Sequence, residues 1–316
     1  LADDRAIELP GWDGEELHLL ESPTARAWVA PSQGGSVVGL AKATASGWQQ
    51  VLHHGSALQA RERPTRFGCL VLFPFPGLVR DATYWWKGQQ FRLPVNAPDG
   101  TSFAHGFAHD RAWKVVEREE GQIVMKLETP GCLNEDERRG YPFAVTLRQE
   151  ISLGEDGLSI VLVARNEGVA PAPVGLGLHP YFAMAFLGGD RSDLRFETPA
   201  GSGTAQSSEP IRLASVGQEL HTRADVPSPS QVRLRGSMGA VSLFLEHGVS
   251  DLAVFAPDDG RSVSLEPTSC ALSAGSLLVD AASAAHSPLR LAPGAERRVA
   301  VRIVASSMEP IEPARR

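Results

Sequence analysis

Three short segments set titratable side chains among glycines, prolines and aromatics. They are Phe103-Ala104-His105-Gly106-Phe107 with Trp113 downstream, Gly177-Leu178-His179-Pro180-Tyr181-Phe182, and Leu265-Glu266-Pro267. Histidine and glutamate are side-chain types that move protons near neutral pH, and their setting suits the wall of a binding cleft. All three segments read as strand ends or turns. Taken singly, each residue has a plainer reading. A histidine beside a turn glycine can be satisfied by a backbone carbonyl, and a lone glutamate usually sits in water at a strand end. His105 and His109 stand four residues apart, the spacing at which a helix aligns two metal ligands. Gly106 and the aromatic alternation oppose a helix there and no third ligand lies nearby, so no metal is expected. Cys69, Cys132 and Cys270 are odd in number and share no CxxC spacing, which suits reduced thiols and a cytoplasmic location.

The elements that must position these residues are strands. Val145, Leu147, Ile151 and Leu153 interleave with Thr146, Arg148, Glu150 and Ser152, the period-two pattern of a half-buried strand. Leu158, Ile160 and Leu162 repeat the pattern after the turn Gly154-Glu155-Asp156-Gly157, so the two predict an antiparallel hairpin. Similar stretches at 123–127, 241–245, 252–255, 263–265 and 299–304 are separated by Gly, Pro, Asp and Ser clusters. The expectation is an all-β protein, mostly antiparallel. No composition shift marks a linker, so one domain over 1–316 is expected. The Ser-, Pro- and Gly-rich stretch 198–230 reads as a long surface loop with short strands.

Composition bounds the function. In 316 residues, 42% are hydrophobic and 21% charged, which is globular rather than disordered or fibrous. Thirty Lys and Arg against 37 Asp and Glu give a formal charge of −7 with no basic block, so nucleic acid is not an expected partner. Apolar runs are broken well short of the ~18 residues a bilayer span needs. The opening LADDRAIELPGW has neither the basic nor the apolar region of a secretory signal. No membrane partner is expected.

In their order, the His-Gly-Phe, His-Pro-Tyr-Phe and Leu-Glu-Pro segments resemble the aldose 1-epimerase (galactose mutarotase) family. Further matches are Gly77-Leu78-Val79-Arg80 with Trp86-Lys87-Gly88 and Phe91-Arg92-Leu93, Tyr141-Pro142-Phe143, Asn166-Glu167-Gly168, and Leu291-Ala292-Pro293-Gly294. The resemblance runs from about residue 34 to 304. It implies a single large antiparallel β-sandwich, the galactose mutarotase-like supersandwich, with a sugar cleft on its concave sheet. It implies an isomerase that interconverts α and β anomers of a free aldose, with Glu266 as general base, His179 as general acid and His105 as a second catalytic histidine. Arg80 falls at the family's sugar-binding arginine, and Asp225 is the candidate for its sugar-binding aspartate. Val79 stands where members usually carry asparagine, and Thr268-Ser269-Cys270-Ala271-Leu272 replaces the usual polar and aromatic continuation, so galactose itself is not implied.

The chemistry needs a base for the C1 hydroxyl proton and an acid for the ring oxygen. The expectation is that its surroundings keep His179 protonated for the second task. Neither metal nor cofactor is required, and no dinucleotide or phosphate-loop glycine pattern occurs. Trp85, Trp86, Tyr181 and Phe182 are candidates to pack on the sugar. The alternatives are a hexose-6-phosphate 1-epimerase, for which Arg66, Arg80 and Arg111 could form a phosphate clamp, and a non-catalytic carbohydrate-binding protein of the same fold. A monomer or homodimer is expected.

Overall fold

The computed structural model describes residues 9–63, 65–188, 191–197, 229–280, 282 and 286–307. Asp225 and most of the stretch 198–230 lie outside them.

The hairpin predicted from alternation is present. Val145–Gly154 and Gly157–Asn166 pair in register from Val145↔Asn166 to Gly154↔Gly157. Their apolar positions are buried and most of the intervening polar ones reach solvent, as a sheet with one wet face requires. This hairpin is the middle of an eight-stranded antiparallel sheet. Lys114–Glu119 and Gln122–Thr129 flank it on one side. Glu296–Ser307, Gly239–His247, Ser230–Arg235 and Arg195–Glu197 follow on the other.

The second sheet, also of eight strands, runs His18–Ser22, Ala25–Ala30, Ser36–Thr44, Cys69–Leu72, Gly177–Ala183, Ser262–Thr268 and Asp251–Phe255, with Gly47–Gln50 paired to Ser36–Thr44. Its central strands are buried on both faces, and period two divides their side chains. Leu178, Phe182, Val263, Leu265, Leu252 and Val254 join Leu147, Ile151, Ile160 and Val301 of the other sheet in one hydrophobic core. This core makes the molecule a β-sandwich. On the far face, a smaller cluster of Leu9, Trp12, Trp28, Ala30, Val38, Ala41 and Ala57 covers one end. The helix Ala57–Glu62 belongs to that cover, closed at its start by a capping box between Ser56 and Gln59. The other end of the same face carries His179, Tyr181, Ser264 and Glu266. Among the described residues no helix is long and apolar enough to cross a membrane.

Candidate functional site

His179 and Glu266 are not at strand ends, as their flanking prolines suggest. They lie inside Gly177–Ala183 and Ser262–Thr268. Proline cannot donate to a ladder, which argues against a central strand, yet here both strands are central. The ladder absorbs the two prolines by an interruption: Gly177 pairs with Thr268, and pairing resumes at Tyr181↔Ser264. Register is kept across the gap, so His179 stands opposite Glu266. The imidazole Nε2 lies 3.3 Å from Glu266 Oε1, and the residues are only 2% and 3% exposed.

The rest of the site follows from the same register. Phe255 pairs with Ser264 and sets its ring edge-on to His179, centroids 6.3 Å apart. Tyr181, two residues along the strand, stacks on His179 at 4.5 Å. Its hydroxyl donates to the Thr65 carbonyl, and its amide donates to Gly68 O at 2.8 Å. The segment between Thr65 and Gly68 is thereby held against the site, and it carries Arg66, whose guanidinium sits 5.5 Å from the Phe255 ring centre. Ser264 Oγ is 2.8 Å from His179 Nδ1.

His105 reaches the same place from another part of the chain. It follows the short strand Phe103–Ala104 at φ +60°, with Gly106 at φ +78°. Two consecutive left-handed residues are uncommon when one of them is not glycine. Here the turn is held by His105 N donating to Gly77 O at 2.8 Å and Phe107 N donating to Phe73 O at 2.7 Å. Phe73 directly follows Cys69–Leu72, the strand beside Gly177–Ala183, so the turn brings the His105 ring to 5.1 Å from that of His179. Arg80 opens a 3-10 turn after Leu78–Val79, which pairs with Phe103–Ala104. Its amide donates to Ser276 Oγ at 2.9 Å. Its side chain is exposed.

Burial pushes the His179 pKa well below its usual value, with the neighbouring His105, His109 and Arg66 acting in the same direction and a backbone hydrogen bond opposing them. This reverses the expectation that the surroundings keep the ring protonated. A desolvated imidazole facing other cationic groups favours its neutral form, and the Glu266 carboxylate is the counter-charge a second proton would need. Burial likewise drives the thiols of Cys69 and Cys270 up to about 12 and that of Cys132 up to about 11, which leaves them poor nucleophiles.

His109 is a buried histidine in its own right. Among the described residues no group of three or more His, Cys, Asp or Glu is placed to hold a metal ion. Burial, then Arg111, lowers the His109 pKa from 6.5 to about 4. Between these values the unfolded chain binds more protons than the folded one, so folding stability rises with pH through that window and falls on acidification. Chemical denaturation from pH 7 to pH 4 is expected to show about 3 kcal/mol of pH-dependent loss from this residue. His109→Leu should flatten the curve, and an unchanged slope in the variant would contradict the assignment.

Of the three arginines considered for a phosphate clamp, Arg111 is paired with Glu137 and lies 2.9 Å from Asp110, Arg80 is exposed, and Arg66 borders the site. Trp86 is a core residue, its indole donating to Pro171 O at 2.9 Å, and Phe182 faces the core between the sheets. Sequence reasoning missed Ser264 and Phe255, and named Arg66 only for a phosphate clamp. The signal for Ser264 was present: Ser262, Ser264, Glu266 and Thr268 alternate with Val263, Leu265 and Pro267, one polar face on a strand that ends in a motif glutamate.

Comparison with known proteins agrees with this fold. The chain is 29% identical over 163 residues to the uncharacterized protein YihR of Escherichia coli K12, an alignment covering 51% of this chain and 49% of that one. It thus spans about half the length of the curated relatives it matches. A galactose mutarotase-like protein from Clostridium acetobutylicum superposes with a TM-score of 0.72 at 17% identity, covering 92% of this chain and 95% of the other. The galactose 1-epimerase of Lactobacillus acidophilus does so with a TM-score of 0.66 at 16% identity, over 94% and 96%. At such identities the likeness speaks for the fold alone. Residues 16–274 match the sequence profile of the aldose 1-epimerase family, and with the fold in agreement, the chain belongs to that family.

Proposed function

We propose that the protein is a cofactor-independent isomerase that interconverts the α and β anomers of a non-phosphorylated aldose. The observation that carries this reading is the buried pair of His179 Nε2 and Glu266 Oε1 at 3.3 Å, a proton donor and acceptor within the span of a hemiacetal. Glu266 takes the C1 hydroxyl proton while the bond from C1 to the ring oxygen breaks, and His179 supplies a proton to that oxygen. Rotation about the bond between C1 and C2 and the reverse transfers close the other anomer. Each proton removed is replaced over the cycle, so nothing is consumed. A histidine whose cation is disfavoured by burial is a stronger acid once protonated, which suits the second transfer. His105, 5.1 Å from His179, and Arg80 are assigned to sugar hydroxyls, and Asp225 keeps its role as candidate partner.

Neutral aldoses are favoured over hexose 6-phosphates because Arg111 is already neutralised by Glu137 and Asp110. A dianionic phosphate would lack the free Arg111 guanidinium of the sequence-proposed clamp. Magnetisation-transfer NMR on glucose, galactose, other aldoses and glucose 6-phosphate tests this. Faster exchange of a neutral aldose, with glucose 6-phosphate at its uncatalysed rate, is the expected result. Acceleration of the phosphate ester alone would reverse the substrate class. Anomer signals broadened by binding without faster exchange would leave a carbohydrate-binding protein and reject the isomerase.

A further inference from the structure

Arg80 is held by its backbone alone. Its side chain is exposed, and among the described residues no hydrogen bond or ion pair holds the guanidinium. The direction in which it leaves the chain is therefore set by the turn it opens, and that turn is an unusual one. Asp81 and Ala82 follow with φ +54° and +48°, two consecutive left-handed residues of which neither is glycine. Such a conformation persists only where its surroundings over-determine it.

Those surroundings come from the segment that follows the Glu266 strand. Leu78 N donates to Leu272 O at 3.1 Å and Trp85 N donates to Leu278 O at 2.7 Å, so residues 272–278 lie alongside the chain before and after the Arg80 turn. Between these two contacts, Ser276 Oγ accepts from Arg80 N at 2.9 Å and donates to Leu78 O at 2.6 Å. A hydroxyl can do both at once. The two bonds bracket Val79, which has no polar side chain of its own to fix the bend. The approach is close enough to need glycine on each side. A Cβ on Gly77 would lie 2.1 Å from Leu272 O, and one on Gly275 would lie 2.6 Å from Val79 Cγ2. Gly77 O in turn accepts from His105 N, so the Arg80 turn is fixed between the continuation of the Glu266 strand and the turn that carries His105.

We propose that Ser276 is a positioning residue for sugar binding: by joining the Arg80 N–H to Leu78 O it fixes the turn that aims the Arg80 guanidinium at substrate hydroxyls. This rests on the reading of Arg80 as a sugar-binding residue. Truncation of Ser276 to alanine leaves the Arg80 amide to water, which accepts the same proton but has no covalent tie to residues 272–278. The turn then loses the link that orients the arginine, and binding weakens while the proton transfers of His179 and Glu266 are left as they were.

The test is a double-variant cycle on the full chain, reading anomer exchange of glucose and galactose by magnetisation transfer over a range of sugar concentrations. Ser276→Ala is expected to raise KM about tenfold with kcat within about threefold, the signature of an interaction made equally in ground and transition states. Arg80→Ala should raise KM at least as much, and adding Ser276→Ala to it should change nothing further, because the serine acts only through the arginine. A merely structural role would raise KM by the same factor in both backgrounds. That result would overturn the proposal, as would a Ser276→Ala KM equal to that of wild type. Arg80→Ala with an unchanged KM would remove the sugar-binding reading of Arg80 and the proposal with it. The Arg80 amide gives a readout independent of turnover: its hydrogen exchange is expected to be slow in wild type and about tenfold faster in Ser276→Ala, and an unchanged rate would overturn the proposal. If wild type accelerates neither sugar, the isomerase reading falls, and the same cycle read as dissociation constants from NMR titration of galactose decides the proposal.

Discussion

Glu266→Gln is expected to lower the rate of anomer exchange by about 10³-fold with the fold intact. The substitution keeps shape and volume in a site where Glu266 is 3% exposed, and removes the negative charge and with it the capacity to take a proton. The glutamine amide still faces His179 Nε2 across the same register, so a change in packing cannot account for the loss. Far-ultraviolet circular dichroism and the unfolding midpoint should match wild type, while magnetisation transfer between anomers falls to near the spontaneous rate. A variant retaining more than about a tenth of wild-type exchange would be inconsistent with a general base worth its usual two to four orders of magnitude. His179→Gln should fall with it. Residues that act as a unit lose together, so the double variant is expected to be little worse than either single one.

Gly106→Ala is expected to cost more stability than any other conservative change near the site. A Cβ built on Gly106 would lie 1.8 Å from the Phe73 carbonyl oxygen and 2.2 Å from its carbon. Both are backbone atoms, so no side chain can swing aside, and the residue sits at φ +78°. Gly88→Ala is the matched control, with φ +76° and nothing within 4 Å of its Cβ. The control pays only the left-handed conformational cost, about 1 kcal/mol. Gly106→Ala adds the displacement of Phe73, for an expected total of about 4 kcal/mol or more, read as the difference between the two denaturation curves. Since the Phe73–Gly106 bridge is what carries His105 to His179, any folded fraction of Gly106→Ala is expected to exchange anomers poorly. Equal losses for the two variants would show that the close approach to Phe73 is not what restricts this position.

These two expectations differ in how far they could be read before the fold was known. Glu266 and His179 stand out because an acid and a base appear in distinctive proline-flanked segments. Their partnership follows from motif order, and a separation of 87 residues along the chain gives no geometric reason for it. Gly106 was legible as a turn glycine, but its contact with Phe73 was not, because a turn's sequence says which φ it needs and not what it turns against. The prolines misled in an informative way. Pro180 and Pro267 lack the N–H a ladder uses, so both segments read as strand ends, whereas the sheet interrupts its pairing across them and keeps register. Ser264 is the clearest case of a residue visible in pattern and opaque in role. Its alternation with Val263 and Leu265 places it on a polar strand face, and only the pairing Tyr181↔Ser264 puts its hydroxyl beside Nδ1.

The sequence by itself determined the strand-rich class, the hairpin at 145–166, the division of each strand into a core face and a polar face, and the identity of the histidine and glutamate segments. These are local properties: period two, turn chemistry and side-chain type act over a few residues. The tertiary structure alone decided that His179 and Glu266 face each other, that His105 closes on them from a left-handed turn, that Arg111 is consumed by Glu137 and Asp110, and that burial lowers the His179 pKa. Those outcomes depend on register between strands distant in the chain and on the exclusion of water from the space between them. Neither is encoded in any single segment, because both are set by how the hydrophobic faces of the two sheets fit together.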